Sequence, residues 1–333
     1  MIAWMIALSL MVIQVLNLCT ILVMIFRRRD EPIYIIAWTM IMTFIPFIGF
    51  LLYLLFGHGP IIKEKRTFLD AIEEHYYQQA VDSQLEMMDS VSTIPSSYMS
   101  LIKFNLNYNR SILTRHNTLE YFSDANDKYE RLLSDIEQAQ DTINVLYFII
   151  RGDESGKALI KTLAKKAREG VKVRLVYDDG GSFMTPSSVF KPLKEAGGTV
   201  VKHYPAKFKI FTLNWNYRNH RKIVVVDGRL AITGGINVGD EYIHRSKKFG
   251  FWRDTSILVE GEAVRDFAVL FSGDWFFATG ERLTNDLYYK KVTEVEDGGV
   301  QVIDSGPQST LAAIKQAFFR MIMGAEKSVY IIT

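Results

Sequence analysis

A histidine, a lysine and an aspartate stand at fixed spacing in the 333-residue chain. His220, Lys222 and Asp227 fit the pattern H-x-K-x-x-x-x-D within NHRKIVVVDG. Alternate side chains of an extended segment share a face, which predicts His220 and Lys222 on one side. A neutral imidazole can attack phosphorus or pass a proton to a leaving oxygen. An ammonium nearby can offset the charge on the non-bridging oxygens. The three residues therefore predict a phosphate-transfer site, with all three as catalytic candidates.

The residues after this motif favour the same chemistry. Gly234 and Gly235 allow a close backbone approach, and Asn237 supplies a neutral donor for phosphate oxygens. We therefore predict that Gly235 and Asn237 bind substrate. The remaining histidines have no comparable neighbours and receive no role: His58, His75, His116, His203 and His244. No second histidine or carboxylate cluster stands at ligand spacing, so the pattern predicts no metal.

Strand and helix patterns alternate around the motif, which predicts an α/β fold with a largely parallel sheet. Ile223–Val226 and Leu230–Thr233 flank the turn signal Asp227-Gly228 and predict a hairpin. The upstream pattern has three strands, at Thr142–Ile150, Val171–Tyr177 and Thr199–Tyr204, and two helices, at Gly156–Glu169 and Ser188–Ala196.

Two apolar runs at the N-terminus predict a transmembrane hairpin. Met1–Phe26 and Ile33–Phe56 are each long enough to cross a bilayer as a helix. Three arginines at 27–29 favour a cytoplasmic connecting loop, but Lys63, Lys65 and Arg66 favour the opposite orientation equally. The predicted organisation is then 1–57 membrane helices, 58–140 connecting helices and loops, 141–300 a first catalytic domain, and 301–333 the start of a second.

Composition excludes some classes of protein. A net charge of +2 gives no bulk electrostatic case for a nucleic-acid partner. The single cysteine, Cys19, excludes a disulfide framework and a cysteine-based zinc site.

The motif and its surroundings resemble a known family. NHRKIVVVDG followed by TGGINVGDEY resembles the first of the two H-K-D motifs of the phospholipase D superfamily, and in particular of the bacterial cardiolipin synthases. Supporting segments are AWTMIMTFIPFIGFLLYLLFG, YDDGG and FWRDTSILVEGEAV. Ser256 departs from the histidine that the family usually has after Asp-Thr.

This resemblance implies an activity and roles for the residues. Family members transfer a phosphatidyl group between two phosphatidylglycerol molecules, giving cardiolipin and glycerol without a metal or other cofactor. His220 would be the nucleophile that forms a phosphohistidine, Lys222 the phosphate clamp, Asp227 a structural or orienting partner, and Asn237 a phosphate contact. The resemblance also implies a bacterial cell-membrane protein with two N-terminal spans and phospholipase D-type α/β sandwich repeats.

The chain departs from the family in having one H-K-D motif where the family needs two. Leu311–Gly324 predicts a helix and Ser328–Ile332 a strand, which together match the opening of a second repeat. We therefore favour a fragment that lacks the second catalytic half, with a homodimer pairing two His220 sites as the alternative. Rival functions are another phosphatidyltransferase or hydrolase of the superfamily, and an inactive half-enzyme serving as a membrane subunit.

Overall fold

The N-terminal apolar residues form a helical unit that we describe by itself. In the computed structural model, residues 2–28, 32–57, 81–82, 84–86, 96–204, 218–283, 298–306 and 312–331 are described. Helix α1 (Ile2–Leu22) continues as a short π-helix (Val23–Arg28). Within it, Trp4–Phe26 is long and apolar enough to cross a membrane, with a mean hydropathy of 2.4. The first predicted span is therefore confirmed as one long apolar helix.

The second apolar run is two shorter helices. α2 (Pro32–Phe44) and α3 (Pro46–Phe56) are separated by Ile45. Pro46 has no N–H and leaves the Met42 carbonyl without its helical donor. The buried Asn17 of α1 supplies that donor: its Nδ2 lies 3.0 Å from the Met42 oxygen and 3.3 Å from the Pro46 oxygen. The second predicted span is therefore two helices on either side of Ile45, and its crossing of a membrane stays a prediction.

The unit that contains His220 and Lys222 is built on a seven-stranded sheet with helices on both faces. Its strand order is β2-β8-β7-β6-β3-β4-β5. The strands are β2 (Asn117–Phe122), β3 (Thr142–Tyr147), β4 (Lys172–Asp178), β5 (Thr199–His203), β6 (Ile223–Val226), β7 (Leu230–Gly234) and β8 (Ser256–Gly261), and β1 (Leu113–Thr114) precedes them. The helices are α4 (Ser96–Asn109), α5 (Ala125–Glu137), α6 (Glu154–Arg168), α7 (Lys191–Glu195, after a 3-10 turn at Ser187–Phe190) and α8 (Val264–Thr279).

The mixed α/β fold is confirmed, but the sheet is not largely parallel. Only the pairs β3–β4 and β4–β5 are parallel, while the other four pairs are antiparallel. The β6–β7 hairpin lies antiparallel to β3, and β8 and β2 continue the antiparallel half. The prediction of a largely parallel sheet was therefore wrong. A continuous apolar run indicates a strand that is buried on both faces, but it does not indicate the direction of that strand.

The strand at the centre of the sheet has both faces buried. On one face Val224 and Val226 belong to a core that includes apolar residues of α5 and α6. On the other face Ile223 and Val225 pack with apolar residues of α8. Because adjacent residues of β6 face opposite layers, adjacent residues just before it also project to opposite sides.

The sheet includes residues that the sequence placed in a connecting region. β2 pairs with β8 along its whole length, and Leu132 and Ile136 of α5 are fully buried in the core. A separate two-stranded sheet joins β1 to β9 (Val300–Gln301). The Asn117 side chain also donates to the Gly298 oxygen at 2.9 Å. The structural unit around the motif thus begins before residue 141.

The last described segment differs in part from its prediction. The predicted helix is confirmed as α9 (Ala313–Met323). Residues 328–331 form no strand, Val329 and Tyr330 are exposed, and residue 332 lies outside the described residues. A strand needs a hydrogen-bonded neighbour, and no strand among the described residues pairs with this segment.

Candidate active site

His220 lies just before the central strand β6 and is exposed. Its ring stacks on Phe148, with 3.8 Å between ring centroids and 21° between planes. Phe148 directly follows β3, the neighbour of β6 in the sheet. The end of β3 therefore sets the position of the imidazole.

Lys222 converges on the same aromatic ring. Its Nζ lies 5.2 Å from the centroid of the Phe148 ring and donates a hydrogen bond to the His220 carbonyl at 2.6 Å. The expectation that His220 and Lys222 share a face agrees with this geometry. An imidazole and an ammonium side by side can present a nucleophile and a positive charge to one phosphate.

The pKa values of both side chains are lower than usual. Burial and the neighbouring Lys222 charge lower the pKa of His220 from its usual value near 6.5, against an opposing effect of Asp178. Burial lowers the pKa of Lys222 to about 8, against an opposing effect of Asp254. At neutral pH the imidazole is therefore uncharged and available for attack, while most Lys222 side chains remain protonated.

A second lysine lies buried behind Lys222. Lys128 of α5 is only 2% exposed, and its Nζ donates to the Tyr147 hydroxyl at 2.7 Å. Burial lowers the pKa of Lys128 to about 7, with Asp254 and Lys222 as its charged neighbours. The sequence analysis placed Lys128 in the connecting region 58–140 and gave it no role.

Asp227 lies apart from His220 and Lys222. It follows β6, at the opposite end of the strand from Lys222, roughly 16 Å along a chain that rises about 3.3 Å per residue. Its carboxylate accepts the backbone N–H groups of Gln140, Asp141 and Thr142, each at 2.8 Å. Asp227 thus fastens the hairpin to the start of β3, which fits the structural or orienting role that the resemblance implies, and its part in catalysis stays a prediction.

The YDDGG segment supports the residue before His220. Asp178 is completely buried and accepts the N–H groups of Gly180, Gly181 and Asn219, each at 2.9 Å. A Cβ at Gly180 would lie 2.4 Å from Nε of Arg218, and one at Gly181 would lie 2.4 Å from the Phe148 oxygen. The backbone contact at Gly181 therefore excludes a side chain there, whereas at Gly180 the flexible Arg218 side chain would have to move.

The predicted substrate-binding residues lie close to the site but already have protein partners. Gly235 donates its N–H to the Thr255 oxygen at 2.9 Å, and a Cβ there would lie 2.1 Å from the Asp254 carboxylate. Asn237 accepts the Ile149 N–H at 3.1 Å, one residue after Phe148. Both residues are seen supporting the site, and their contact with substrate stays a prediction.

Arg221 points away from His220 and Lys222, as strand alternation requires. One guanidinium nitrogen donates to both carboxylate oxygens of Asp274, at 2.8 and 2.7 Å, and another donates to Asp304 at 2.6 Å. Burial alone would raise the pKa of Asp274, but Arg221 and His203 hold it below its usual value. The sequence analysis gave Arg221 no role. Its position between His220 and Lys222 could have predicted that its side chain lies on the other face of the extended segment.

Two cavities border His220 and Arg221. The larger, about 370 Å³, is lined mainly by apolar side chains, namely Ile223, Ile257, Phe267, Leu270, Val302 and Ile303. The smaller, about 310 Å³, contains polar side chains from His203, Tyr204, Arg218 and Asn219. His220 thus borders two cavities whose exposed lining is mainly apolar in both cases. Within the described residues, no group of three or more His, Cys, Asp or Glu side chains gathers as a metal site would require.

Family models match two parts of the chain. A model described as "Cardiolipin synthase, PLD-like domain" matches residues 132–275, and one described as "Phospholipase_D-nuclease N-terminal" matches residues 15–58. The first match contains His220, Lys222 and Phe148, and the second contains the end of α1 with α2 and α3.

Among solved structures, NucT of Helicobacter pylori aligns at a TM-score of 0.38 and 14% identity, over 49% of this chain and 98% of its own. Nuc of Salmonella typhimurium, a phospholipase D family member, aligns at a TM-score of 0.35 and 16% identity, over 49% and 96%.

Curated relatives match over nearly the whole chain. The major cardiolipin synthase of Bacillus subtilis is 37% identical over 330 residues, which cover 96% of this chain and 67% of that protein. A cardiolipin synthase of Staphylococcus aureus is 37% identical over 95% of this chain and 65% of its own length, and one of Oceanobacillus iheyensis is 38% identical over 96% and 67%. The chain thus spans about two thirds of the length of these relatives. It belongs to the cardiolipin synthase family of phospholipase D-type phosphatidyltransferases.

Proposed function

We propose that the chain provides one catalytic half of a cardiolipin synthase, which transfers a phosphatidyl group from one phosphatidylglycerol to another. The observation that supports this most directly is the convergence of His220 and Lys222 on Phe148, beside an apolar cavity, in a chain of this family. A lipid substrate needs both a phosphate-reactive group and an apolar surface next to it.

In the first step the neutral imidazole of His220 attacks phosphorus of the donor lipid. The bond from phosphorus to the glycerol head-group oxygen breaks, and a phosphohistidine forms. Lys222 offsets the negative charge on the non-bridging oxygens. The departing glycerol oxygen takes a proton from a general acid, which the family resemblance assigns to the histidine of a second H-K-D motif.

In the second step a head-group hydroxyl of another phosphatidylglycerol attacks the phosphohistidine. The same general acid, now deprotonated, accepts the hydroxyl proton, and the bond from phosphorus to His220 breaks. Cardiolipin and glycerol are the products. The second motif comes from a segment outside these 333 residues or, in a homodimer, from a second copy of the chain.

We also propose that the N-terminal helices anchor the enzyme in the bacterial cell membrane with two spans. α1 is long enough alone, and α2 with α3 together cover residues 32–56. Broken helices are tolerated in a bilayer where a neighbouring helix satisfies the freed backbone groups, and Asn17 does this for the Met42 carbonyl. The anchor would hold the site at the surface where both substrates reside.

The test uses the protein expressed from its complete coding region and reconstituted in phosphatidylglycerol vesicles. We expect cardiolipin and glycerol as products, and a loss on the order of a thousandfold or more in His220→Ala. His116→Ala is the matched control, because His116 is exposed and remote in sequence from the motif, and its activity should equal that of the unmodified protein.

The product distinguishes the rival functions. Phosphatidic acid as the main product would indicate a hydrolase, and a different phospholipid would indicate another acceptor. Absence of any product, with a monomeric protein, would support the inactive membrane subunit and overturn the proposal. Mass spectrometry of acid-sensitive phosphorylated peptides should locate phosphatidylation at His220, and full activity of His220→Ala would exclude that assignment.

A further inference from the structure

We propose that the end of the sheet at which His220 lies docks on the surface of an anionic bilayer, as a second membrane contact besides the N-terminal helices. We call this end the docking surface. It consists of Phe183 and Met184 after β4, with Lys247, Lys248, Phe249 and Phe251 between β7 and β8. The choice of an anionic phospholipid as partner rests on the proposed function, because phosphatidylglycerol is the substrate proposed there.

Both loops leave the sheet at the end where the histidine segment enters it. β3 and β4 are parallel and therefore finish at the same end. β6 is antiparallel to β3, so His220, just before β6, lies at that end too. β7 is antiparallel to β6 and pairs with β8 so that Gly234 lies opposite Ser256, which places the loop between β7 and β8 there as well. Strand pairing therefore gathers His220 and both loops at one end of the sheet.

Four large apolar side chains on these loops are exposed. Phe183 is 67% and Met184 70% exposed, while Phe249 is 46% and Phe251 68% exposed. Apolar side chains that gather on one part of a surface mark a site of interaction with a protein or a membrane. Phenylalanine and methionine have no hydrogen-bonding group that the acyl boundary of a bilayer would leave unpaired.

The loop between β7 and β8 presents Phe251 from a supported backbone. Trp252 packs edge to face against the buried Tyr242, with ring centroids 5.0 Å apart, and donates its backbone N–H to Nδ1 of His244 at 3.1 Å. The His244 ring stacks on Phe251 at 4.4 Å, and its Nε2 lies 3.2 Å from the carboxylate of Asp124, just before α5. An exposed aromatic ring that is already held in place loses little conformational entropy on binding.

The charges of the loop favour an anionic bilayer over a neutral one. Lys247 and Lys248 are exposed beside the phenylalanines, and neither forms a salt bridge with a described residue. Carboxylates in or beside the loop already have partners in the protein, namely Asp240 with the Ser155 N–H, Glu241 with Arg151, and Glu154 with Arg245. A lysine close to an anionic lipid surface strengthens binding by about fivefold.

The docking surface and the N-terminal helices have different tasks. Attachment through a few aromatic and basic side chains is reversible, so the long apolar helix α1 supplies the stable anchoring. The docking surface instead brings the end of the sheet that holds His220 against the lipid head groups. A phosphodiester can then reach the imidazole while its acyl chains stay in the bilayer.

The first experiment measures whether the docking surface enters lipid. The protein expressed from its complete coding region, with its native cysteines replaced, receives one cysteine through Phe249→Cys and a polarity-sensitive fluorophore on that cysteine. In phosphatidylglycerol vesicles that contain lipids with nitroxide-labelled acyl chains, we expect a blue shift and strong quenching. Glu137→Cys is the matched control, because Glu137 is exposed at the end of α5, just before β3 begins at the opposite end of the sheet. Equal quenching at the two positions would overturn the proposal.

The second measurement identifies what covers the surface. Quenching at position 249 should fall in neutral phosphatidylcholine vesicles and in 1 M salt, where the screening length is only about 3 Å. The double variant Lys247→Gln, Lys248→Gln should dock roughly 25-fold more weakly, as expected for two lysines at about fivefold each. Quenching that is insensitive to all three changes would refute an anionic bilayer as partner. A blue shift without quenching would show that protein covers the surface, either a segment outside these 333 residues or a second copy, and would also refute the proposal.

The quenching measurement does not depend on turnover, so it separates this inference from the proposed function. Quenching at position 249 without cardiolipin formation supports the docking surface and counts against the function. Cardiolipin formation without quenching has the opposite meaning. Where both are observed, the double variant Phe249→Ser, Phe251→Ser should raise the KM, expressed as the mole fraction of phosphatidylglycerol in the vesicle, with kcat unchanged. Thermal unfolding shows that each variant is folded, and an unchanged KM in the double variant would contradict a role of the docking surface in reaching substrate.

Discussion

At the scale of single residues, the site depends on three consecutive side chains that point in alternate directions. His220 and Lys222 meet Phe148, while Arg221 binds Asp274 and Asp304 behind the strand. The spacing of the motif predicted the first pair. It could not predict Phe148 or Asp274, because those partners come from chain segments more than 50 residues away and their sequence surroundings carry no pattern.

The displaced pKa values predict a bell-shaped dependence of kcat/KM on pH. His220 must be uncharged, so activity should fall as pH drops through a pKa lowered below 6.5. Lys222 must be protonated, so activity should also fall as pH rises through about 8. In Lys222→Arg the fall in activity near pH 8 should disappear while the acid limb remains, because a guanidinium keeps its charge; a basic limb at another pH would then report the general acid. A basic limb still near 8 in that variant would show that another group titrates there.

Asp227→Asn should act on stability. An amide cannot accept three backbone N–H groups as the carboxylate does, so we expect the free energy of unfolding to fall by about 1–3 kcal/mol. Urea denaturation of the detergent-solubilised chain measures this change. His220→Ala serves as the comparison, since the exposed ring should contribute much less. Equal stability of Asp227→Asn and the unmodified chain would contradict the structural role.

At the scale of elements, the sequence predicted the positions of most strands but not how the strands pair in the sheet. The runs that became β3, β4, β5 and the β6–β7 hairpin were predicted, because continuous β-branched stretches between turn signals are strong local patterns. β2 was missed because the segment NTLEYF is polar at the sheet edge. The antiparallel half of the sheet could not be predicted, because pairing direction depends on connections that leave no local pattern.

Gly235 gives a prediction about the turn after β7. Gly235→Ala would place a Cβ 2.1 Å from the Asp254 carboxylate and should displace it from Lys222, with a loss of about tenfold or more in activity. The matched control is Gly273→Ala in α8, where a Cβ meets nothing within 4 Å. That change should leave activity intact and stabilise the helix by about 0.5–1 kcal/mol. Equal activity of the two variants would show that the Asp254 position is unimportant.

At the scale of the whole molecule, the N-terminal helices and the sheet-based domain form separate units. α1 exposes large apolar side chains such as Trp4, Leu8 and Met11, which a lipid environment would cover. The sequence predicted both apolar runs from their length, but not the break at Ile45 or its compensation by Asn17. The sequence shows that Asn17 is a polar residue in an apolar helix, but it does not show which backbone carbonyl Asn17 binds.

Deletion of residues 1–57 should release the protein from membranes. We expect the full chain to float with phosphatidylglycerol vesicles in a density gradient and the deletion variant to stay in the soluble or aggregated fractions. The apolar length of α1 alone is enough for stable anchoring. Co-flotation of the deletion variant would show that residues after 57 bind the bilayer by themselves.

The pairing of Arg221 has a consequence for the order in which the site is made during synthesis. Its two carboxylate partners lie 53 and 83 residues later in the chain. The β1–β9 sheet likewise cannot form until residues 300–301 have been synthesised. A nascent chain that has exposed only the H-K-D segment therefore holds an arginine without its counter-charges. The packing behind the motif should therefore be complete only after Asp304 has left the ribosome.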